Sequence, residues 1–157
     1  MELGYVDPLE EQAREKARRQ AAAEEHAEAL QQLNTGAVAE GMARLQQLVA
    51  AEEDWPAPRF TLAEVYFRTG SLPGAAEQVA ALIYHGVENA RVAGLAGRVA
   101  AAQREFDRAL EELQFARALD AELPGVDAQL GSVMLRRGAL DEAEQAFNRA
   151  LERNADD

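Results

Sequence analysis

The chain has 157 residues, is 48% hydrophobic and 28% charged, and carries a net charge of −12. That length suits one ordinary domain and the hydrophobic share allows a core, while the charge opposes a nucleic-acid or anionic-membrane partner. The lack of cysteine excludes disulfides, thiol catalysis and thiolate metal sites.

The opening MELGYVDPLEEQ has no basic n-region and no apolar h-region. No secretory signal is therefore expected, and the chain is assigned to the cytoplasm. No apolar run reaches about 18 residues, so no transmembrane helix is expected. Asp7 is placed to cap a helix, with Pro8 as its first residue and Glu10 in its first turn. That helix is predicted to run to near Asn34. Its AREKARRQ stretch reads as a solvated face, because Glu10, Glu11 and Glu15 dilute the basic charge.

Beyond it, apolar residues recur at spacings of three and four, and glycine or proline separates helix-length segments. Gly36, Gly70 and Gly138 sit where helices should stop, and Pro56, Pro58 and Pro124 where helices should start. His85 falls at the end of a helix, where a positive charge would suit the dipole.

The segments repeat. Steps of 34 residues connect Ala143 to Ala109 and Ala75, Leu140 to Phe106 and Leu72, and Phe147 to Leu113 and Val79. Leu130 steps to Ala96 and Leu62, Gly131 to Gly97 and Ala63, and Ala150 to Ala116 and Leu82. Gly138 steps to Arg104, a mismatch, and then to Gly70. The copies are 56–89, 90–123 and 124–157. A degenerate copy, 22–55, precedes them, with Glu28 where the others have leucine or alanine. Small pairs recur in phase: Ala29 with Gly41, Ala63 with Ala75, Gly97 with Ala109, and Gly131 with Ala143. Small residues on facing helices let backbones approach while larger neighbours interlock.

A 34-residue helix–turn–helix unit with this pattern resembles the tetratricopeptide repeat (TPR) over 22–157. Tyr66 matches the bulky aromatic of the first helix, whereas Ala100 and Met134 replace it in the later copies. The tryptophan near the start of the unit is absent, and Ala155 replaces the closing proline. The resemblance implies an all-α, right-handed α-solenoid of antiparallel helix pairs, about four repeats after an N-terminal helical extension, 1–21. It also implies that first helices line a groove for a protein or peptide partner.

Charge is distributed unevenly over that arrangement. The first-helix segments 56–69, 90–103 and 124–137 hold Arg59, Arg68, Arg91, Arg98, Arg136 and Arg137 against only Glu64 and Asp127, a net +4. The rest of these copies sums to −9. By register Phe60, Glu64, Phe67, Arg68, Arg91, Arg98, Leu135 and Arg136 should line or border the groove, with Gly94, Ala101 and Ala102 widening its middle. Arginine recognises carboxylates with two donors at once, so an acidic segment or a free C-terminus is the expected ligand. Alternatively the arginines pair with acids on neighbouring helices. Chaperone-tail recognition is not expected, because the family's clamp positions hold His26, Leu30, Phe60, Glu64 and Arg98 here.

No catalytic constellation, cofactor motif or metal site is expected. His26 and His85 are the only histidines, and acid pairs such as Asp141–Glu142 and Asp156–Asp157 read as solvated charges. GLAG lacks the strand–loop–helix setting and lysine of a phosphate loop. The chain therefore reads as a non-catalytic interaction module. Two other readings remain open. ELGYVDP faintly resembles the tail of a sulfatase or alkaline-phosphatase-like domain, which would make the chain a non-catalytic arm of an enzyme. The last repeat could instead form a homodimer through an uncovered edge, with Leu140 and Phe147 packed on their own partner helix.

Overall fold

Capping residues and left-handed turns cut the chain into helices. The computed structural model describes residues 7–155, and among them the chain forms eight helices and no strand. They are α1 (Pro8–Asn34), α2 (Val38–Ala51), α3 (Pro56–Arg68), α4 (Leu72–Tyr84), α5 (Ala90–Ala102), α6 (Phe106–Leu119), α7 (Val126–Arg136) and α8 (Leu140–Ala155). Residues 1–6 and the Asp156–Asp157 pair lie outside the described residues.

The repeat period reappears in the backbone. Ala37, Ser71, Glu105 and Ala139 each donate an N–H to the carbonyl five residues back, at Gln32, Tyr66, Ala100 and Met134, over 2.8–3.0 Å. This is the six-to-one bond of a Schellman cap, whose preceding residue must be left-handed. Gly36, Gly70 and Gly138 supply φ of 88°, 83° and 80°. Arg104 adopts 66°, the only non-glycine positive φ among the described residues. The mismatch in the repeat therefore changes the residue and keeps the turn.

The chain divides into two compact units, 1–58 and 59–157. In the first, Asp7 caps α1 by accepting from Leu9 N at 2.9 Å, with Pro8 at its start. The AREKARRQ stretch is largely exposed and carries the pairs Arg14–Glu10 and Arg19–Glu15. Gly41 on α2 sits against α1; a Cβ there would meet Ala29 O at 3.0 Å and Leu33 Cγ at 2.9 Å. Glu28 is exposed and pairs with Arg44 at 3.0 Å, and Arg44 also pairs with Glu25. Its repeat equivalents Leu62, Ala96 and Leu130 are buried. The degenerate copy thus carries an ion pair where the others carry a core residue.

In the second unit, Ala63, Ala75, Val79, Leu95, Ala96 and Val99 join α3, α4 and α5 in one cluster. A second cluster joins α5, α6, α7 and α8 through Ala100, Ala109, Leu113, Leu130, Val133 and Ala146, among others. A Cβ on Gly97 would lie 2.6 Å from Leu113 Cγ and 3.2 Å from Ala109 O. One on Gly131 would lie 2.8 Å from the Phe147 ring.

Three sequence expectations need correction. Pro124 precedes α7, which begins at Val126 after the left-handed Gly125. Leu140 is 62% exposed, because as the first residue of α8 it projects beyond the packed turn. Gly94 is buried: its α-carbon faces Leu123, Ala116 and Val126, so it forms packing and not an open groove.

Candidate functional site

Asn89 caps α5, its side chain accepting from Val92 N at 3.0 Å. From there Val92 to Ala100 are buried, apart from Arg98. Arg91 and Arg98 are thus the two charged residues of an otherwise small and apolar helix. They stand seven residues apart, or two turns, so both lie on one face.

That face meets the aromatic residues of α3. The Arg91 guanidinium lies 4.6 Å from the centre of the Phe60 ring, and that of Arg98 lies 4.5 Å from the centre of the Phe67 ring. The four residues form two equivalent stacks. Phe60 and Phe67 are also seven apart, which explains the matched register. Each ring draws a cation to its face, worth about 0.5–1 kcal/mol where exposed.

Glu64 is half-buried on α3 between the two rings in sequence, and Arg68 is exposed one residue beyond Phe67. On α7, Leu135 and Arg136 are exposed. Ala101 is half-buried against the core and Ala102 is exposed. Among the described residues, Arg68, Arg91, Arg98 and Arg136 make no ion pair. The other two first-helix arginines are engaged: Arg59 Nη1 donates to Gln78 Oε1 at 3.1 Å, and Arg137 pairs with Asp107 at 2.9 Å. The six cations counted in the sequence therefore separate into two structural ones and four without an internal acid.

The most buried charge was not singled out in the sequence. Asp127, 2% exposed in the first turn of α7, is surrounded by three arginines. Arg149 Nε donates to its Oδ1 at 3.1 Å, Arg117 Nη1 lies 3.5 Å from the same oxygen, and Arg153 Nη1 lies 2.8 Å from Oδ2. The helix N-terminus adds a favourable dipole. Only the spacing of Arg149 and Arg153, one turn apart on α8, could have signalled this cluster. It ties α6 and α8 to α7 and uses up its charge internally.

His26 is half-buried with its ring edge-on to Trp55, centres 5.1 Å apart. Burial lowers its pKa below the ordinary histidine value. His85 caps the end of α4 and is exposed. Among the described residues no three histidine or acidic side chains gather as metal ligands, and no helix is long and apolar enough to cross a membrane.

No family model matches the sequence, and no curated protein matches it either. Solved structures do. MamA 41-end from Desulfovibrio magneticus RS-1 superposes with a TM-score of 0.77 at 16% identity, covering 86% of this chain and 76% of that one. A crystal structure of MamA protein gives 0.75 at 18% identity over 89% and 76%, and another of MamA gives 0.72 at 18% over 79% and 72%. At such identities the likeness speaks for fold alone, and the fold is that of an all-α, TPR-like solenoid of helix pairs.

Proposed function

We propose that the chain is a non-catalytic protein-interaction module whose α3–α5 face binds an acidic segment of a partner. The observation that carries this is the pair of guanidiniums stacked on Phe60 and Phe67 and lacking an internal acid. Arg68 and Arg136, exposed and, among the described residues, equally without an ion pair, add to the positive charge of the first helices. A carboxylate arriving there meets oriented donors whose charge no side chain of the chain has neutralised.

The stacks also set a spacing. Seven residues of helix rise about 10.5 Å between Arg91 and Arg98. Two carboxylates three residues apart on a polyproline-II segment lie on one face about 9 Å apart, a close match. Acidic residues next to each other would engage only one stack at a time. The test is fluorescence anisotropy with capped, labelled peptides carrying two glutamates either three apart or adjacent. Tighter binding of the spaced peptide, lost in Arg91→Glu/Arg98→Glu, supports the reading. Equal binding by wild type and variant refutes it.

A second reading, self-association through the last helix pair, is favoured by the exposure of Leu140 and Leu151, at 62% and 66%, on α8. Light scattering at two concentrations tests it. A mass that grows with concentration and returns to the monomer value in Leu140→Gln/Leu151→Gln supports it; a constant monomer mass refutes it.

A further inference from the structure

The second unit also carries a small cleft with a different character. Its walls are Ile83 at the end of α4, Val87 in the following loop, Val92 in the first turn of α5, and Phe115 on α6. Its charged lining is Glu88 and Glu112, with no basic side chain in the wall. The volume is about 260 Å³. That is below the roughly 300–1,000 Å³ usual for small-molecule sites, and suits one or two inserted side chains.

Two features show that the cleft is incomplete as the chain leaves it. Ile83 is 39% and Phe115 45% exposed, and Leu119, one turn beyond Phe115 on the same face of α6, is exposed as well. Contiguous apolar surface of this kind marks interaction sites. Glu112, one turn before Phe115, is half-buried. Burial raises its carboxyl above the ordinary range; Arg108 opposes the rise and Glu111 adds to it. Arg108 is itself paired with Glu105 at 3.1 Å, so the desolvated carboxylate is poorly compensated.

We propose that this cleft docks an apolar peptide segment bearing one basic side chain, whose cation meets Glu112 and Glu88 while its apolar neighbours cover Phe115, Ile83 and Val87. The charge and the apolar walls together define the partner. A purely apolar segment would bury both carboxylates without a counter-charge, which is costly. A purely polar cation would leave the aromatic and aliphatic walls wet. The surface is separate from the arginine face and of opposite sign, so one chain could hold an acidic and a basic segment at once.

The test is an amide-shift titration of the isotope-labelled full chain with a capped peptide containing one lysine flanked by leucines. A matched peptide with norleucine in place of lysine serves as the uncharged control. Saturable shifts centred on 83–93 and 112–119 are expected, with affinity at least about tenfold weaker for the norleucine peptide and for Glu112→Gln. Phe115→Ala should weaken both peptides. Shifts that map elsewhere, fail to saturate, or are equal for the two peptides would overturn the proposal. So would concentration-dependent shifts at these residues without peptide, which would assign the cleft to a second copy of the chain. Because the two-peptide comparison uses wild-type protein, it stands even if a variant folds poorly.

Discussion

Arg104 gives the clearest energetic statement at the scale of single residues. It holds a left-handed φ of 66° at the position where Gly36, Gly70 and Gly138 stand in the other turns. An L-residue in that region carries roughly 1–2 kcal/mol of strain, partly offset because glycine loses more entropy on folding. Arg104→Gly should therefore raise stability by about 0.5–1 kcal/mol, read as a higher denaturation midpoint with an unchanged slope. Asp127 has the opposite character. Asp127→Asn keeps the shape and removes the charge that three arginines share, and should cost about 2–3 kcal/mol, discounted because those arginines are partly exposed. His26 makes a pH statement. Its folded-state pKa lies below the ordinary value, so between the two the unfolded chain binds more protons. Stability should be full above the ordinary histidine range and fall as pH drops through it. Trp55, the single tryptophan, reports this transition, and the slope should vanish in His26→Phe.

Helix pairs are held by close approach at a few small residues. Gly97→Ala would push a methyl to within 2.6 Å of Leu113 and 3.2 Å of a backbone oxygen that cannot yield. A loss of about 1–3 kcal/mol is expected, measurable by thermal unfolding. Phe147 stacks against Gly131 yet remains half-buried, so Phe147→Ala should cost less than the roughly 3–5 kcal/mol of a fully buried phenylalanine. Capping residues and glycines made α1 and the turns at Gly36, Gly70 and Gly138 legible, because they are local signals that act within their own turn, whereas the left-handed turn at Arg104 carried no such signal. The two arginine–phenylalanine stacks were legible only as a list of residues on one face. Their pairing depends on how α3 meets α5, which no local pattern encodes. The Asp127 cluster joins α6, α7 and α8 and was missed for the same reason. Gly94 was misassigned because register gives the face of a helix and not what covers it; Leu123 and Val126 do.

Across the whole molecule, the organising feature is charge separation. A chain of net charge −12 sets Arg91 and Arg98 on the Phe60 and Phe67 rings, and among the described residues these two, Arg68 and Arg136 make no ion pair. Exposed charges of this kind are screened within about 8–10 Å at ordinary salt, so binding at the arginine face should weaken as salt rises. The most direct test of that face is affinity capture from the source lysate at low and moderate salt, comparing wild type with Arg68→Glu/Arg98→Glu/Arg136→Glu and identifying captured proteins by mass spectrometry. A partner with an acidic segment, held by wild type, weakened by salt and lost by the triple variant, is the predicted result. Equal capture by both proteins would contradict the account and move binding off these arginines.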